Sequence, residues 1–422
     1  MAAPVHRRMV PRMVPVAGGG AGHRVTTLEL FFDLVFVFAF TQVTALVAGS
    51  PTVLGAARGL VLGALLWWIW CSYSWLGNQA RADEGLVRLA LFAAMVIMMM
   101  LALAIPQAWS SQGRGPALLL VGCTLLVQWI HLGVYVVAAA GDRGLLRQLA
   151  IAAVPVLVGN VLLLVGGLAG PQGRTGWWAA GMLVNYTGIY AAGAEGWRLP
   201  SPAHFAERYA LIVLIALGES VVAVGVGVGT VTLTPSVVAA TATAIVLSIT
   251  LWWLYFDVLA YIVEHHLAAA PSGVAQSSLA RDALTFLHFP VVVSVLALAV
   301  GIKKVFGTFD GHHGGGLAEA LGVLATVLLA GGPAVYLLGV AMLHRRLHGR
   351  IDRPLLAVAA ALVVLAVLAG LGGLDGVLSP LGYLFTVTGG MVMLVLLVSR
   401  SQPELRRRYR YGEAPAPVGV QD

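Results

Sequence analysis

Apolar residues in this chain come in blocks of about 18–25, the length at which a helix crosses a bilayer core. Twelve blocks are read, at approximately 28–48, 53–76, 86–105, 116–140, 146–168, 176–193, 207–229, 236–262, 284–306, 317–343, 355–373 and 381–398. Loop residues stand between them: Gly49-Ser50-Pro51, Gly113-Arg114-Gly115-Pro116, Gly170-Pro171, Pro200-Ser201-Pro202, Pro271-Ser272-Gly273 and Gly311-His312-His313-Gly314. The pattern predicts an all-α polytopic membrane protein of about twelve transmembrane helices. The first block, Thr26 to Thr44, departs from it. Glu29 and Asp33 lie near its entry, and Thr41, Gln42 and Thr44 lie deeper. Four residues apart, the two acids share one helix face. An Asp at the centre of a span costs roughly 2.5–3.5 kcal/mol to insert. That face is therefore expected to meet other helices or water.

Composition agrees with the pattern. Of 422 residues, 59% are hydrophobic and 10% charged, against about 25% charged in soluble domains. The formal charge of +7 sits in loops and tails, so no nucleic-acid partner is expected. Its distribution gives an orientation. With alternating spans, 20 of the 25 Lys and Arg fall on the side of the N-terminus. Basic loops stay inside, so both termini are expected to be cytoplasmic. Residues 1–25 are rich in Pro, Gly and Arg and read as a disordered cytoplasmic segment without a secretory signal. Residues 399–422 read as a basic cytoplasmic tail. Cys71 and Cys123 lie in apolar runs and read as small buried hydrophobes.

Several polar residues interrupt the spans. Asp33 is the better candidate of the first pair for an ion or proton site; Glu29, nearer the interface, can equally be a helix-capping acid. Glu219 stands near the middle of its span, among Gly218, Gly225, Gly227 and Gly229. Those glycines allow close helix approach or local unwinding. Asp257 ends Leu251-Trp252-Trp253-Leu254-Tyr255-Phe256-Asp257, as an interfacial acid or a second pathway carboxylate. Gln128 and His131 share a face of the fourth span. His288 precedes Phe289-Pro290. Each histidine can be a hydrogen-bonded packing residue or a proton relay. Trp67 to Trp75 reads as an aromatic belt. Beyond it, Asn78, Arg81 and Asp83 are candidates for the mouth of a cavity, paired with Glu29 or Asp33. Glu264, His265 and His266 read as a solvated helix end. No metal spacing, Walker loop or nucleophile elbow occurs, so neither an enzyme nor a cofactor or metal site is expected.

An internal echo points to two parallel six-helix halves, 26–193 and 194–398. Glu29 and Glu207 open the first and seventh spans. Leu66-Trp67-Trp68 is matched by Leu251-Trp252-Trp253, and Arg81 by Arg281.

Five motifs in order, Glu29-Leu30-Phe31-Phe32-Asp33-Leu34-Val35-Phe36-Val37, Trp75 to Arg81, Ala216 to Ser220, Trp252 to Asp257 and His288-Phe289-Pro290, resemble the bacterial low temperature requirement protein A family. The resemblance covers residues 26 to about 305. It implies a multi-pass bacterial protein of a family named for a cold-growth phenotype, and no particular biochemistry. The pattern Glu29-x-Phe31-x-Asp33-x-Val35-Phe36-x-x-Ala39-x-Thr41 is also similar to the pore helix of an unconventional potassium-channel family built from six-helix units. Thr27 stands where that family has a basic residue, and Leu211 where the second half would carry its acid; both departures argue against a symmetric filter. The expected function is an inner-membrane transporter-like protein, coupled to protons or cations through Asp33, Glu219, Glu29 and Asp257. Asn78, Arg81, His131 and His288 are further pathway candidates. A channel-like cation pore and a non-transporting factor in low-temperature growth are the alternatives, the second of which expects the acids to be paired off with Arg81 or Arg208. Expected partners are the lipid bilayer and an ion or small solute, and a homo-oligomer is allowed.

Overall fold

The structure is a computed structural model that describes residues 24–111, 113–229, 231–309, 320–401 and 405–411. Three expectations therefore lie outside the described residues: disorder through residue 23, the break at Gly311 to Gly314, and the tail beyond residue 411. The described residues contain no β-strand. The helices are α1 (Thr27–Gly49), α2 (Val53–Gln79), α3 (Gly85–Ala104), α4 (Gly115–Ala138), α5 (Arg143–Leu168), α6 (Pro171–Ala191) and α7 (Pro202–Val228). They continue as α8 (Pro235–Phe256), α9 (Leu259–Ala269), α10 (Val274–Leu279), α11 (His288–Phe306), α12 (Val323–His348), α13 (Arg353–Gly370) and α14 (Pro380–Ser401).

Local chemistry sets the ends. The Thr26 side chain accepts from Glu29 N while Glu29 reaches back to Thr26 N, a complete capping box. Thr52, Asp142 and Thr234 cap α2, α5 and α8 through their side-chain oxygens. Proline opens α6, α7, α8 and α14, where its missing N–H costs nothing. Gly349, at φ 70°, closes α12 in the left-handed region.

Among the described residues, eleven stretches of helix are long and apolar enough to cross a membrane. The expected sixth span is not among them, because α6 carries Gln172, Arg174 and Asn185. It still runs the length of α5 in the opposite direction. Gly166 lies against Trp178, Gly159 against Asn185, and Gly188 against Pro155. A methyl at Gly188 would come within 2.2 Å of Pro155 Cβ, so this approach needs glycine. Buried Arg174 donates to the carbonyls of Ala108, Gly166 and Ala169. Its charge is thus held by backbone oxygens of neighbouring segments.

The bundle is apolar outside and partly polar inside. In α1, Glu29, Phe32, Asp33 and Phe36 are buried while Phe31 and Leu34 are more than half exposed. That is the distribution expected against lipid, where every polar group must find a partner within the protein. Two further differences from the sequence reading concern aromatic residues and breaks. The Trp67 to Trp75 run is no interfacial belt: Trp67 and Trp70 are buried, stack at 5.3 Å, and pack edge-on against Tyr209. The span expected at 284–306 begins earlier, as α10 followed by a π-helical stretch, Ala280–Phe286. The span expected at 236–262 is interrupted at Asp257 and Val258.

Candidate functional site

The two acids of α1 meet the first turns of α7. Arg208 Nη1 donates to Glu29 Oε1 at 2.7 Å and Nη2 to Asp33 Oδ1 at 2.8 Å. His204, one turn earlier on α7, places Nε2 3.1 Å from Glu29 Oε2. Trp70 Nε1 of α2 donates to Asp33 Oδ1 at 2.9 Å, and the Arg208 guanidinium lies over the Trp70 ring at 5.6 Å. All five side chains are buried, with Asp33 and His204 at 0% exposure and Glu29 and Arg208 at 1%. Gly77 makes the room: a methyl there would sit 2.7 Å from Glu29 Oε1. The spacing explains the convergence. Residues 29 and 33 share a face of α1, and residues 204 and 208 share a face of α7. Each helix therefore presents a pair to the other.

The charges do not balance. Two carboxylates face one guanidinium, so the cluster is neutral when His204 or one acid carries an additional proton. Asp33 Oδ2 is buried with no hydrogen-bond partner. A buried carboxylate oxygen without a donor is costly, and a proton on it lowers that cost.

Eleven residues further along α7, about 16 Å at helical rise, Glu219 forms a second cluster. Thr41 and Thr44 hydroxyls donate to its two oxygens at 2.6 and 2.5 Å, and Lys303 Nζ of α11 lies 2.9 Å from Oε1. One acid and one amine balance here. Of the four glycines near Glu219, Gly227 alone makes a close approach, against Phe306; Gly218 and Gly225 meet nothing within 4 Å. The helix does not unwind at Glu219.

Asp257 lies elsewhere, at the break between α8 and α9. Arg406 and Arg410, beyond α14, bind its two oxygens. Of Asp33, Glu219, Glu29 and Asp257, the structure therefore brings together only Glu29 and Asp33, while Glu219 and Asp257 stand in separate clusters. Asn78 exchanges hydrogen bonds with the Ser201 backbone, donating at 2.6 Å to its carbonyl, and so ties the end of α2 to the start of α7. Arg81 pairs with Asp83 and Glu84 at the surface and does not reach the acids of α1. His288 is buried: its Nδ1 lies 2.7 Å from the Ala283 carbonyl, so it carries the proton there, and neutral Nε2 accepts from the Tyr255 hydroxyl at 2.7 Å. It thereby satisfies a carbonyl that the π-helical stretch leaves without its usual partner.

His131 opens onto a cavity of about 100 Å³ between α2, α4, α5 and the π-helical stretch, with Gln128, Tyr135, Trp75 and Thr285 also in its wall. Thr285 connects the cavity to the acid cluster. Its Oγ1 accepts from Trp75 Nε1 at 3.1 Å and lies 3.0 Å from the Tyr209 hydroxyl, and the Tyr209 ring packs edge-on against Trp70. A second cavity, about 400 Å³ between α1, α2 and α11, is almost wholly apolar, with Thr44 on its wall. Neither cavity is lined by an acid. Among the described residues no group of three His, Cys, Asp or Glu is placed to hold a metal.

The cationic partners are what sequence reading underweighted. Arg208 and Lys303 fall inside the expected spans 207–229 and 284–306, but the sequence weighs Arg208 as a partner for the acids only in a non-transporting protein and Lys303 only as an orientation charge. Pro202 starts α7 five residues before the expected boundary, which carries Arg208 two turns into the helix. His204 gave no pattern signal at all.

The model of the bacterial low temperature requirement A protein family matches residues 24–399. An uncharacterised protein of Rhizobium meliloti (strain 1021) is 27% identical over 331 residues, covering 75% of this chain and 76% of that protein. No solved structure matches the chain.

Proposed function

The chain belongs to the bacterial low temperature requirement A family, and on that premise we propose that it is a proton-responsive, transporter-like protein of the bacterial inner membrane. Its proton-exchanging unit is the Glu29, Asp33, His204 and Arg208 cluster. One observation carries this reading: Asp33 Oδ2 is buried without a partner, in a cluster with one carboxylate more than its fixed cation. Loss or gain of one proton changes the net charge between α1 and α7, and thus their attraction, in a low-dielectric setting. The excess of basic residues on the N-terminal side supports cytoplasmic termini, which puts this cluster toward the cytoplasmic face.

The test is flux in proteoliposomes under an imposed pH gradient, with a panel of cations and small solutes. Asp33→Asn should abolish proton dependence while leaving the protein folded. Proton-linked flux that persists unchanged in Asp33→Asn removes the assignment. A second reading, a non-transporting membrane factor, is favoured by the pairing of Glu219 with Lys303 and of Asp257 with Arg406 and Arg410. It expects no flux of any panel member in the parent protein.

A further inference from the structure

The cavity beside His131 contains hydrogen-bonding groups that nothing in the protein satisfies. Gln128, 6% exposed, has neither its amide nitrogen nor its oxygen bonded. Tyr135, fully buried, has an unpartnered hydroxyl, and His131 Nε2 is likewise unpartnered. These residues occupy positions i, i+3 and i+7 of α4, so they form one stripe down one face of that helix. All three line the same cavity.

Buried polar groups are nearly always hydrogen-bonded, and one left alone costs a large part of its desolvation. A gap-filling side chain would have avoided that cost. Three adjacent groups that face a cavity and lack partners instead describe one half of a recognition surface. The rest of the wall says what the other half is. Trp68, Trp75 and Trp197 are aromatic walls, and Leu132, Leu149 and Val156 are aliphatic. Arg281 is the one charged residue lining it. Its guanidinium is committed to Asp282 at 2.8 and 3.0 Å and lies over the Tyr190 ring. No carboxylate faces the space. A charged ligand would therefore enter without a counter-ion. A volume of about 100 Å³ admits no more than one small ring, since a cavity of about 150 Å³ takes benzene. The Gln128 amide offers a donor and an acceptor in one plane, which complements an adjacent N–H and C=O.

We propose that this cavity is a binding site for a small uncharged planar ring bearing adjacent N–H and C=O groups, held by Gln128, His131 and Tyr135. The π-helical stretch supplies Thr285 to the same wall; such stretches recur at functional sites. The site goes beyond the proton-linked reading and does not depend on whether Asp33 exchanges a proton.

The test uses the full chain in detergent micelles and 2-pyridone as the probe, read by quenching of tryptophan fluorescence. Saturable quenching is expected, weakened about tenfold in Tyr135→Phe, which loses one hydrogen bond, and up to about a hundredfold in Gln128→Leu, which loses two. Thermal stability of Gln128→Leu in the absence of probe should match or exceed the parent, because an unsatisfied amide is removed. Benzoate and benzylammonium should not compete. The proposal is overturned by quenching that rises linearly without saturation, as for partition into the micelle. Equal affinity in both variants, or toluene binding as tightly as 2-pyridone, overturns it as well.

Discussion

Replacing Arg208 by Met should destabilise the folded protein by about 3–5 kcal/mol, the usual cost of removing one partner from a buried ion pair. The geometry puts the effect at that level and not at the level of a surface pair. Arg208 is 1% exposed and its two terminal nitrogens hold different carboxylates at 2.7 and 2.8 Å. Met keeps the length and apolar bulk of the side chain, so the charge is what is lost. Two buried acids are then left with His204 as their nearest charge partner. Asp33→Asn should behave differently. The amide oxygen can still accept from Trp70 and Arg208, and the cluster becomes one acid and one guanidinium. Its cost should stay within about 1 kcal/mol, with stabilisation a permitted outcome. The triple replacement Glu29→Gln, Asp33→Asn, Arg208→Met should recover most of the loss, because neutral substitutes for a buried ion cluster are often tolerated. The assay is unfolding by SDS in mixed micelles, followed by tryptophan fluorescence. The single variant should shift the unfolding constant by two to more than three decades, at about 1.4 kcal/mol per decade. A shift under about 1 kcal/mol for Arg208→Met, or a triple variant no more stable than the single one, would refute the argument.

Gly77→Ala should cost about 1–3 kcal/mol in the same titration, since its methyl meets Glu29 Oε1 at 2.7 Å, whereas Gly218→Ala, with nothing within 4 Å, should be neutral or stabilise by up to about 1 kcal/mol. Equal effects at the two glycines would count against the packing around Glu29. Lys303→Met should destabilise more than Glu219→Gln: the first strands a carboxylate at 0% exposure, the second an amine that is 12% exposed and near the end of its helix. The reverse order of unfolding midpoints would reject the Glu219 cluster. Ending the chain after residue 405 removes both guanidiniums from Asp257, and should cost about 1–3 kcal/mol because the arginines are partly exposed but the carboxylate they leave behind is buried. A larger shift would mean that the tail is integral to the fold.

Residue patterning was enough for the all-helical membrane architecture, since a span needs little more than length and apolar content. α6 shows where that rule weakens. Hydropathy sees Arg174 as a break, whereas the structure shows it absorbed by three carbonyls from neighbouring segments. The site was legible on one side. Glu29 and Asp33 stood out because acids are rare in apolar blocks. Of the cationic partners, Arg208 entered only through the non-transporting alternative and Lys303 only as an orientation charge, because both lie near helix ends, where basic residues are common and informative about orientation. His131 stood out as a polar insertion, but the lack of a partner at its Nε2 is a three-dimensional fact. Asp257 looked like its fellow acids and differs by position: its neighbours come from beyond the last helix, a contact that no local pattern encodes.

The pairing of α1 with α7 also has a consequence for synthesis. Asp33 and Arg208 are 175 residues apart in the chain. At about 5–20 residues per second, the ribosome takes roughly 9–35 s to deliver the arginine after the aspartate. Throughout that interval α1 carries two acids and no counter-ion. Neutral, protonated acids are the form that apolar surroundings accept. The first helix therefore waits in a provisional state, and it becomes a committed part of the bundle when the seventh arrives. Nascent chains arrested before α7 should be extracted from the membrane more readily than chains arrested after it.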